Sequence, residues 1–430
     1  MKHKLLLIFF ISSFAFSAVK ETEIRAIATH PSWYWKGSVK EKRSEMRHYF
    51  KLLNEANINM VYFWMETANM AALLGEPKYA KNGDYNFYST EKWDCIGEML
   101  KEAKKHNVEL HLWFSFTRYK RNRNYVPEYD SNPEIMPEGS PAWASITKSE
   151  YEAGYTDPAS KNVSGTALCN NAEGAGGWTI EVIDRILQKY PEIAGIHLEE
   201  PGYLSLQRCV CKRCQKVYSL LYDEPGENLL NHIYSGKNAR EAYRKDPKAI
   251  AVKVHGTNRF VSKFRGFLEE KHPYKILMTG GGPYPALERA RGRNWPEWIQ
   301  WGWIPYFGCQ AYRPNVKSFV TDCKSAMDAM QGSGAEFAPI IGMLYGSGKT
   351  HSNSPEMVIK QIKAARKLDG YKGVEYAGVQ LFSGKALNKE MAEALGKGPF
   401  SETKALPWQN AKGKEDEKNL SKRKDKPERE

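Results

Sequence analysis

The sequence contains little that would serve a membrane-spanning protein or a nucleic-acid-binding protein. Beyond Ala18, no run of residues is long and apolar enough to cross a bilayer. The formal net charge is +13, but Lys and Arg are mixed with Asp and Glu through most of the chain, and no basic run is interleaved with aromatic residues as in single-strand binders. We therefore expect no membrane span and no nucleic-acid partner. Hydrophobic residues make up 41% of the chain, which is enough for a large core.

The first residues have the pattern of an export signal. Lys2 and Lys4 carry positive charge, the apolar run LLLIFFISSFAFSA follows, and it ends in the small residues Ser17 and Ala18. This pattern predicts a signal peptide over residues 1–19 and a periplasmic or secreted protein. No cysteine stands at the expected cleavage point, so a lipid anchor is not expected.

Apolar, β-rich runs alternate with helical stretches over most of the chain, which favours a parallel sheet built from repeated strand–helix units. Eight such runs predict an α/β fold of the (β/α)8 TIM-barrel type rather than an open doubly wound sheet. We expect one barrel domain over residues 20–400, with long loops after the third and fourth strands, and a charged, disordered tail over residues 401–430. The predicted strands cover residues 24–29, 59–66, 108–116, 193–200, 275–279, 306–312, 337–345 and 376–382.

Two adjacent acids end the fourth predicted strand. Glu199 and Glu200 precede Pro201-Gly202-Tyr203, a sequence that stops the strand and turns the chain. Successive residues of a strand point to opposite sides, so one acid should face the barrel axis and the other the surrounding loops, where an ion pair is its alternative role. Acids at the carboxyl ends of barrel strands are typical of active sites.

Cleavage of a glycosidic bond requires a carboxylic acid and a second carboxylate that acts as nucleophile or base. Glu199 is the principal candidate, and its partner is predicted to be Glu200 or Glu66, with Glu173 a weaker alternative. The seventh predicted strand ends in Gly342-Met343-Leu344-Tyr345 and offers no acid.

Aromatic and polar residues cluster at the predicted strand ends. Aromatic rings stack on the C–H faces of sugars, and amide or imidazole groups bind hydroxyls, so these residues suit a carbohydrate cleft. Packing in the barrel core is the alternative for Trp64 and Trp113. The predicted substrate-binding residues are His30, Trp35, Trp64, Trp113, Asn170, His197, Tyr203, Gln310 and Tyr312.

A compact C-x-C-x-x-C cluster follows the fourth strand. Cys209, Cys211 and Cys214 could form a disulfide, bind structural zinc with Cys169 as a fourth ligand, or remain free thiols. Apart from this cluster we predict no metal site and no cofactor. Metal-dependent chemistry through His30 or His197 lacks a tight ligand spacing.

Several segments together resemble the glycosyl-hydrolase-like family 10 domain. The family's strand-four phrase D-G-I-H-L-D-Y is matched by residues 194–200, with Glu199 on the acidic position and Ala194 in place of the first Asp. Its W-x-x-W pattern and following Q-x-Y are similar to residues 295–312, and its closing G-V-x-L-F to residues 378–382. The resemblance implies a (β/α)8 barrel and carbohydrate hydrolysis but no particular substrate.

The sequence thus predicts a glycoside hydrolase that acts on a polysaccharide or oligosaccharide. The alternative is a non-catalytic carbohydrate-binding barrel that keeps the aromatic cleft without a complete acid pair.

Overall fold

The computed structural model describes residues 20–30, 37–65, 70, 73–74, 89–90, 93–116, 143, 145–156, 167–345 and 351–409. The predicted signal peptide, the predicted site residues Trp35 and Glu66, and residues 410–430 lie outside this part of the chain.

Eight parallel strands form a closed barrel, which confirms the predicted fold class. Closure is achieved at the seventh strand, which pairs with the sixth through Ile340 and Gln310 and with the eighth through Ile340 and Gln380. The eighth strand pairs in turn with the first, Ile24 lying opposite Gly378. The strands are β1 (Ile24–Thr29), β2 (Met60–Trp64), β3 (Glu109–Phe114), β4 (Gly195–Glu199), β5 (Ile276–Gly281), β6 (Tyr306–Ala311), β7 (Ile340–Gly342) and β8 (Gly378–Phe382).

Helices lie between the strands and cover the outside of the barrel. The first begins with a capping box, in which Ser38 and Glu41 satisfy each other's backbone N–H groups. The α-helices are α1 (Val39–Glu55), α2 (Cys95–Lys105), α3 (Lys148–Glu152), α4 (Glu173–Lys189), α5 (Lys212–Tyr222), α6 (Leu229–His232), α7 (Ala239–Lys245), α8 (Pro247–Lys271), α9 (Pro285–Arg289), α10 (Trp295–Gln300), α11 (Val316–Met330), α12 (Pro355–Arg366) and α13 (Lys389–Lys397).

The predicted seventh strand is longer than the observed one. Residues 337–345 read as one apolar run, but Pro339 has no N–H to donate and separates a short strand, Glu336–Phe337, from β7. Beyond β7 the chain leaves the barrel, and Leu344–Tyr345 pairs antiparallel with His351–Ser352.

Two hydrophobic layers follow from the alternation of side chains along the strands. Ala26, Tyr62 and Met278 belong to the cluster inside the barrel, whereas Ile27 and Val61 belong to the larger cluster between strands and helices. The barrel interior is therefore a packed core, and a site can form only at its ends.

The predicted tail begins later than residue 401, which corrects the domain boundary. Leu406 and Trp408 are buried in the interior cluster, and Ala405 forms a bridge with Thr22. The barrel domain thus extends to Gln409, and Trp408 covers the amino-terminal end of the barrel. Within the described residues, no helix combines the length and apolar composition needed to cross a membrane.

Candidate active site

The carboxylate of Glu199 lies at the carboxyl end of β4, and two of the described side chains donate hydrogen bonds to it. Trp113 of β3 donates from Nε1 to Oε2 at 2.8 Å, and Gln310 of β6 donates from Nε2 to Oε1 at 3.4 Å. Because donors from two other strands converge on it, Glu199 faces the barrel axis. Hydrogen bonds to both oxygens stabilise the ionised carboxylate.

Aromatic side chains surround this carboxylate. The ring of Trp113 lies 4.8 Å from that of Trp64 and 6.2 Å from that of Phe382, edge-to-face in both pairs, and Tyr312 stacks on Phe382 at 5.2 Å. Burial and the Glu199 carboxylate raise the pKa of Tyr312, so its hydroxyl stays protonated and can donate a hydrogen bond. Among the predicted substrate-binding residues, the structure brings Trp64, Trp113, Gln310 and Tyr312 together around Glu199. Trp64 and Trp113 are also core residues, exposed by only 4% and 6%.

His197 lies below Glu199 and inside the barrel rather than on a substrate surface. It is fully buried, its ring stacks on Tyr62 at 4.6 Å, and its Nε2 lies 3.1 Å from Gln380 Oε1. The Gln380 amide nitrogen donates to the carbonyl of Ala338, so the amide oxygen accepts from His197 Nε2–H. Burial lowers the pKa of His197 to about 3, which keeps the ring neutral. The expectation that His197 binds substrate directly is corrected by this burial.

Two glycines make room for this polar pair. A Cβ at Gly308 would lie 2.4 Å from Gln380 Nε2, and one at Gly280 would lie 3.1 Å from His197 Cε1. Gly280 therefore lies on the inward-facing side of β5, near its end.

Glu200 lies just beyond the end of β4, with a φ of +40°, and its carboxylate has a different partner from that of Glu199. Its carboxylate forms an ion pair with Arg293 at 2.8 Å, and Arg293 also pairs with Glu288 at 3.2 Å. Burial by itself would lower the pKa of Arg293, but Glu200 and Glu288 outweigh it and raise that pKa. Glu200 thus takes the ion-pair role that the sequence left open.

Two further predicted residues are directed elsewhere. Tyr203 is 1% exposed, and its hydroxyl accepts from the Asn170 backbone N–H at 3.0 Å and contacts Cys169. The Asn170 side chain is also buried and donates to Thr257. Neither side chain lies on an open surface, because both pack where the loops after β3 and β4 meet α8.

The weaker candidate Glu173 is exposed and forms an ion pair with Arg259. His30 follows β1 directly and is 9% exposed.

The cysteine cluster is a group of four. The sulfur atoms of Cys169, Cys209, Cys211 and Cys214 all lie within 4.8 Å of one another, and each residue is buried. In the structure all seven cysteines carry free thiols. Among the described residues, these four are the group suited to a metal ion, and neither His30 nor His197 joins one.

Sequence reasoning missed Phe382 and Arg293. Phe382 ends the eighth predicted strand, and an aromatic residue at a strand end was the signal that selected Trp64 and Tyr312. Arg293 stands in a loop with no local pattern, so only the fold brings it to Glu200.

Comparisons with known proteins agree with this architecture. The family model of glycosyl hydrolase-like 10 matches residues 23–361. The chain is similar to the glycoside hydrolase domain of PgaB (BpsB) from Bordetella bronchiseptica, at 12% identity and a TM-score of 0.57, over 87% of this chain and 98% of that one. It is also similar to the catalytic domain of beta-amylase from Paenibacillus polymyxa, at 10% identity and a TM-score of 0.58, over 90% and 100%. At these identities the likeness establishes the fold alone. No match was found among curated protein sequences.

Proposed function

Because the chain belongs to the glycosyl hydrolase-like 10 family, we propose that it is a glycoside hydrolase acting on a polysaccharide, with Glu199 as its principal catalytic carboxylate. The observation that carries the proposal is the convergence of Trp113 and Gln310 on Glu199 at the carboxyl end of the barrel. An acid in this position, held by two neighbours and ringed by aromatic side chains, fits the chemistry of a sugar-binding cleft.

The two hydrogen bonds favour one role for Glu199. Since they stabilise the ionised form, Glu199 is better suited to act as nucleophile or base than as the acid that protonates the leaving oxygen. Its partner must then supply that proton.

Glu66 is the stronger partner candidate. The Glu200 carboxylate is already held by the buried Arg293 at 2.8 Å, so the structure gives it another role. Glu66 follows Met65, whose backbone N–H donates to the carbonyl of Trp113, the residue that binds Glu199. The chain leading to Glu66 is therefore tied to the same strand that positions the Glu199 carboxylate.

The test is hydrolysis of a panel of bacterial and algal polysaccharides by the purified protein, followed through release of reducing sugar. We expect Glu199→Gln to abolish release, by about a thousandfold or more, while glycan binding persists. Glu66→Gln should also lose activity on polysaccharide but keep more of it on aryl glycosides, whose leaving groups need no proton. Glu181→Gln, on the exposed face of α4, is the matched control and should behave as wild type.

Two outcomes would overturn these assignments. Full activity of Glu199→Gln would remove Glu199 from the mechanism. Binding of a glycan by the wild-type protein, with no release from any substrate, would identify a non-catalytic carbohydrate-binding barrel.

We also propose that the protein works in the periplasm or outside the cell, which rests on the signal-like residues 1–19. Expression of the full chain and cell fractionation test this: export with cleavage near Val19 is expected, and retention of the uncleaved chain in the cytoplasm would contradict it.

A further inference from the structure

A cluster of four thiols lies apart from the residues around Glu199, where the loops that follow β3 and β4 meet. We propose that Cys169, Cys209, Cys211 and Cys214 bind one structural zinc ion as thiolates. The ion would join the loop after β3, which carries Cys169, to the loop after β4, which carries the other three ligands.

The spacing of the sulfur atoms fits a tetrahedral site. Zinc–sulfur bonds of about 2.3 Å place the sulfurs of a regular tetrahedron about 3.8 Å apart. Here Cys169 Sγ lies 3.5 Å from the sulfurs of both Cys211 and Cys214, and all four sulfurs lie within 4.8 Å of one another. Four mutually close sulfurs are what a single central ion requires, whereas a disulfide relates sulfurs only in pairs.

Hydrogen-bond donors point at the sulfurs, as they do around metal-bound thiolates. The backbone N–H of Ile146 donates to Cys209 Sγ at 3.3 Å, and the side-chain amide of Asn171 donates to Cys214 Sγ at 3.4 Å. The Tyr203 hydroxyl accepts from a backbone N–H, so its own proton is free to point at the sulfur of Cys169, 3.7 Å away.

The charges around the cluster suit a group of four thiolates. Cys211 is the N-cap of the eleven-residue helix α5 and Cys214 lies in its first turn, where the helix dipole favours negative charge. Arg213 interacts electrostatically with Cys169, Cys209 and Cys211. Four thiolates around one Zn²⁺ carry two net negative charges, which such a cation would partly balance.

The ion would act on the active site through the chain that leaves β4. Tyr203, whose hydroxyl lies in the cluster, stands four residues after Glu199, and its backbone N–H donates to the carbonyl of Arg291 at 2.7 Å. A Cβ on the intervening Gly202 would lie 2.4 Å from Arg293, the ion-pair partner of Glu200. Zinc would thus fix the turn that follows Glu199 and Glu200.

The reaction balances without an oxidant. Four thiols release four protons as they bind Zn²⁺, and no sulfur changes oxidation state. Formation of two disulfides would instead remove four electrons and would require an oxidant.

Zinc content and thiol content of the full protein separate these possibilities. The protein is purified without reductant or chelator, its metals are measured by mass spectrometry, and its thiols are counted after denaturation. We expect about one zinc ion per chain and seven reactive thiols. Three thiols without zinc would mean two disulfides, seven thiols without metal would mean an empty cluster, and iron in place of zinc would mean another centre; each result would overturn the proposal.

A cysteine variant localises the ion. Cys211→Ser should lose the zinc, whereas Cys323→Ser, which changes a buried cysteine of α11, should keep it. Should Cys211→Ser fail to fold, the wild-type protein loaded with Co²⁺ supplies the answer, because a tetrahedral cobalt thiolate has a strong visible spectrum that an octahedral oxygen site lacks. A weak octahedral spectrum would overturn the proposal. None of these measurements depends on hydrolytic activity, so a failure of the proposed function would not affect them.

Discussion

A tryptophan N–H meets a glutamate carboxylate at each end of this barrel. Trp113 donates to Glu199 at 2.8 Å at the carboxyl end, and Trp408 donates to Glu109 at 2.9 Å at the amino-terminal end. The same pair of groups thus stands once in the proposed active site and once on the opposite face. This duplication provides a matched comparison within one molecule.

Replacement of Trp113 by Phe removes the N–H and keeps most of the ring. We expect kcat on the identified glycan to fall about ten- to hundredfold, the effect of losing one hydrogen bond to a charged group. Because that bond favours the ionised Glu199, its loss should also move the acidic limb of the pH–rate profile to higher pH. Trp408→Phe should leave both the profile and kcat unchanged, and an equal loss in both variants would point to a general effect on the fold.

Burial of His197 gives stability a defined pH dependence. Its pKa is about 3 in the folded protein against 6.5 as its ordinary value, so between these values the unfolded chain binds a proton that the folded chain does not. The free energy of unfolding should therefore fall on acidification through this range, with a contribution from His197 of about 1.4 kcal/mol per pH unit.

Urea unfolding of His197→Gln between about pH 6.5 and pH 4 tests this, since the variant should show a shallower slope whatever its absolute stability. His48→Gln, which changes an exposed residue of α1, should keep the wild-type slope. A slope unaltered by His197→Gln would contradict the assignment.

The position of Glu199 was predictable because the last residue of an apolar strand in this fold lies at the carboxyl end of the barrel. The sequence could not predict the direction of Tyr203, whose phenol enters the cysteine cluster through a turn set by Gly202 and Arg293. His197 lies two residues before Glu199 and therefore on the same side of β4. That position does not show whether a side chain is buried in the barrel interior or reaches its open end. For residues at strand ends, the sequence thus predicts which side of the strand the side chain lies on. Its depth in the barrel depends on contacts with residues that are distant in sequence.

At the scale of elements, closure between β8 and β1 depends on a glycine. Gly378 has a φ of +147°, and a Cβ there would lie 2.1 Å from the carbonyl oxygen of Ile24. We expect Gly378→Ala to reduce the free energy of unfolding by about 3 kcal/mol or more, because it combines backbone strain with a clash against backbone atoms.

The matched control for Gly378→Ala is a substitution at a glycine that has no close neighbours. Gly266 lies on the exposed face of α8, and a Cβ added there would have no other atom within 4 Å. Gly266→Ala should raise the free energy of unfolding by up to about 1 kcal/mol through helix propensity. Equal effects of the two substitutions on the free energy of unfolding in urea would contradict this, because they would show that β8 and β1 can pair with a side chain at position 378.

Element bounds were predictable where a strand is continuous. The prediction for β1 is confirmed residue for residue. The seventh strand was wrong in extent because an apolar run does not reveal which backbone groups are paired, and the loss of one donor at Pro339 decides where β7 begins.

For the whole molecule, the barrel is covered at its amino-terminal end by the last described residues. The indole of Trp408 lies 5.3 Å from the ring of Tyr306 and 5.7 Å from that of His111, and Arg25 donates to the carbonyl of Glu402. These contacts make residues 401–409 part of the folded domain, although their composition suggested a tail.

Truncation tests that view. A chain ending at residue 400 should unfold at a clearly lower temperature, because loss of the Trp408 side chain alone is expected to cost about 3 kcal/mol. A chain ending at residue 409 should unfold at the wild-type temperature, since residues 410–430 are highly charged and lack aromatic groups. Calorimetry of both chains measures the difference, and equal temperatures would show that residues 401–409 do not contribute to the fold.

The absence of a side chain at Gly308 has a consequence for how this barrel can change over evolution. Gln380 occupies the space that a methyl group at position 308 would need, 2.4 Å from its nitrogen. The two positions therefore form one steric unit across β6 and β8, and a larger residue at 308 requires a smaller one at 380. Since Gln380 also accepts a hydrogen bond from His197, related chains that lose the glycine should lose the histidine as well, and the three positions should vary together.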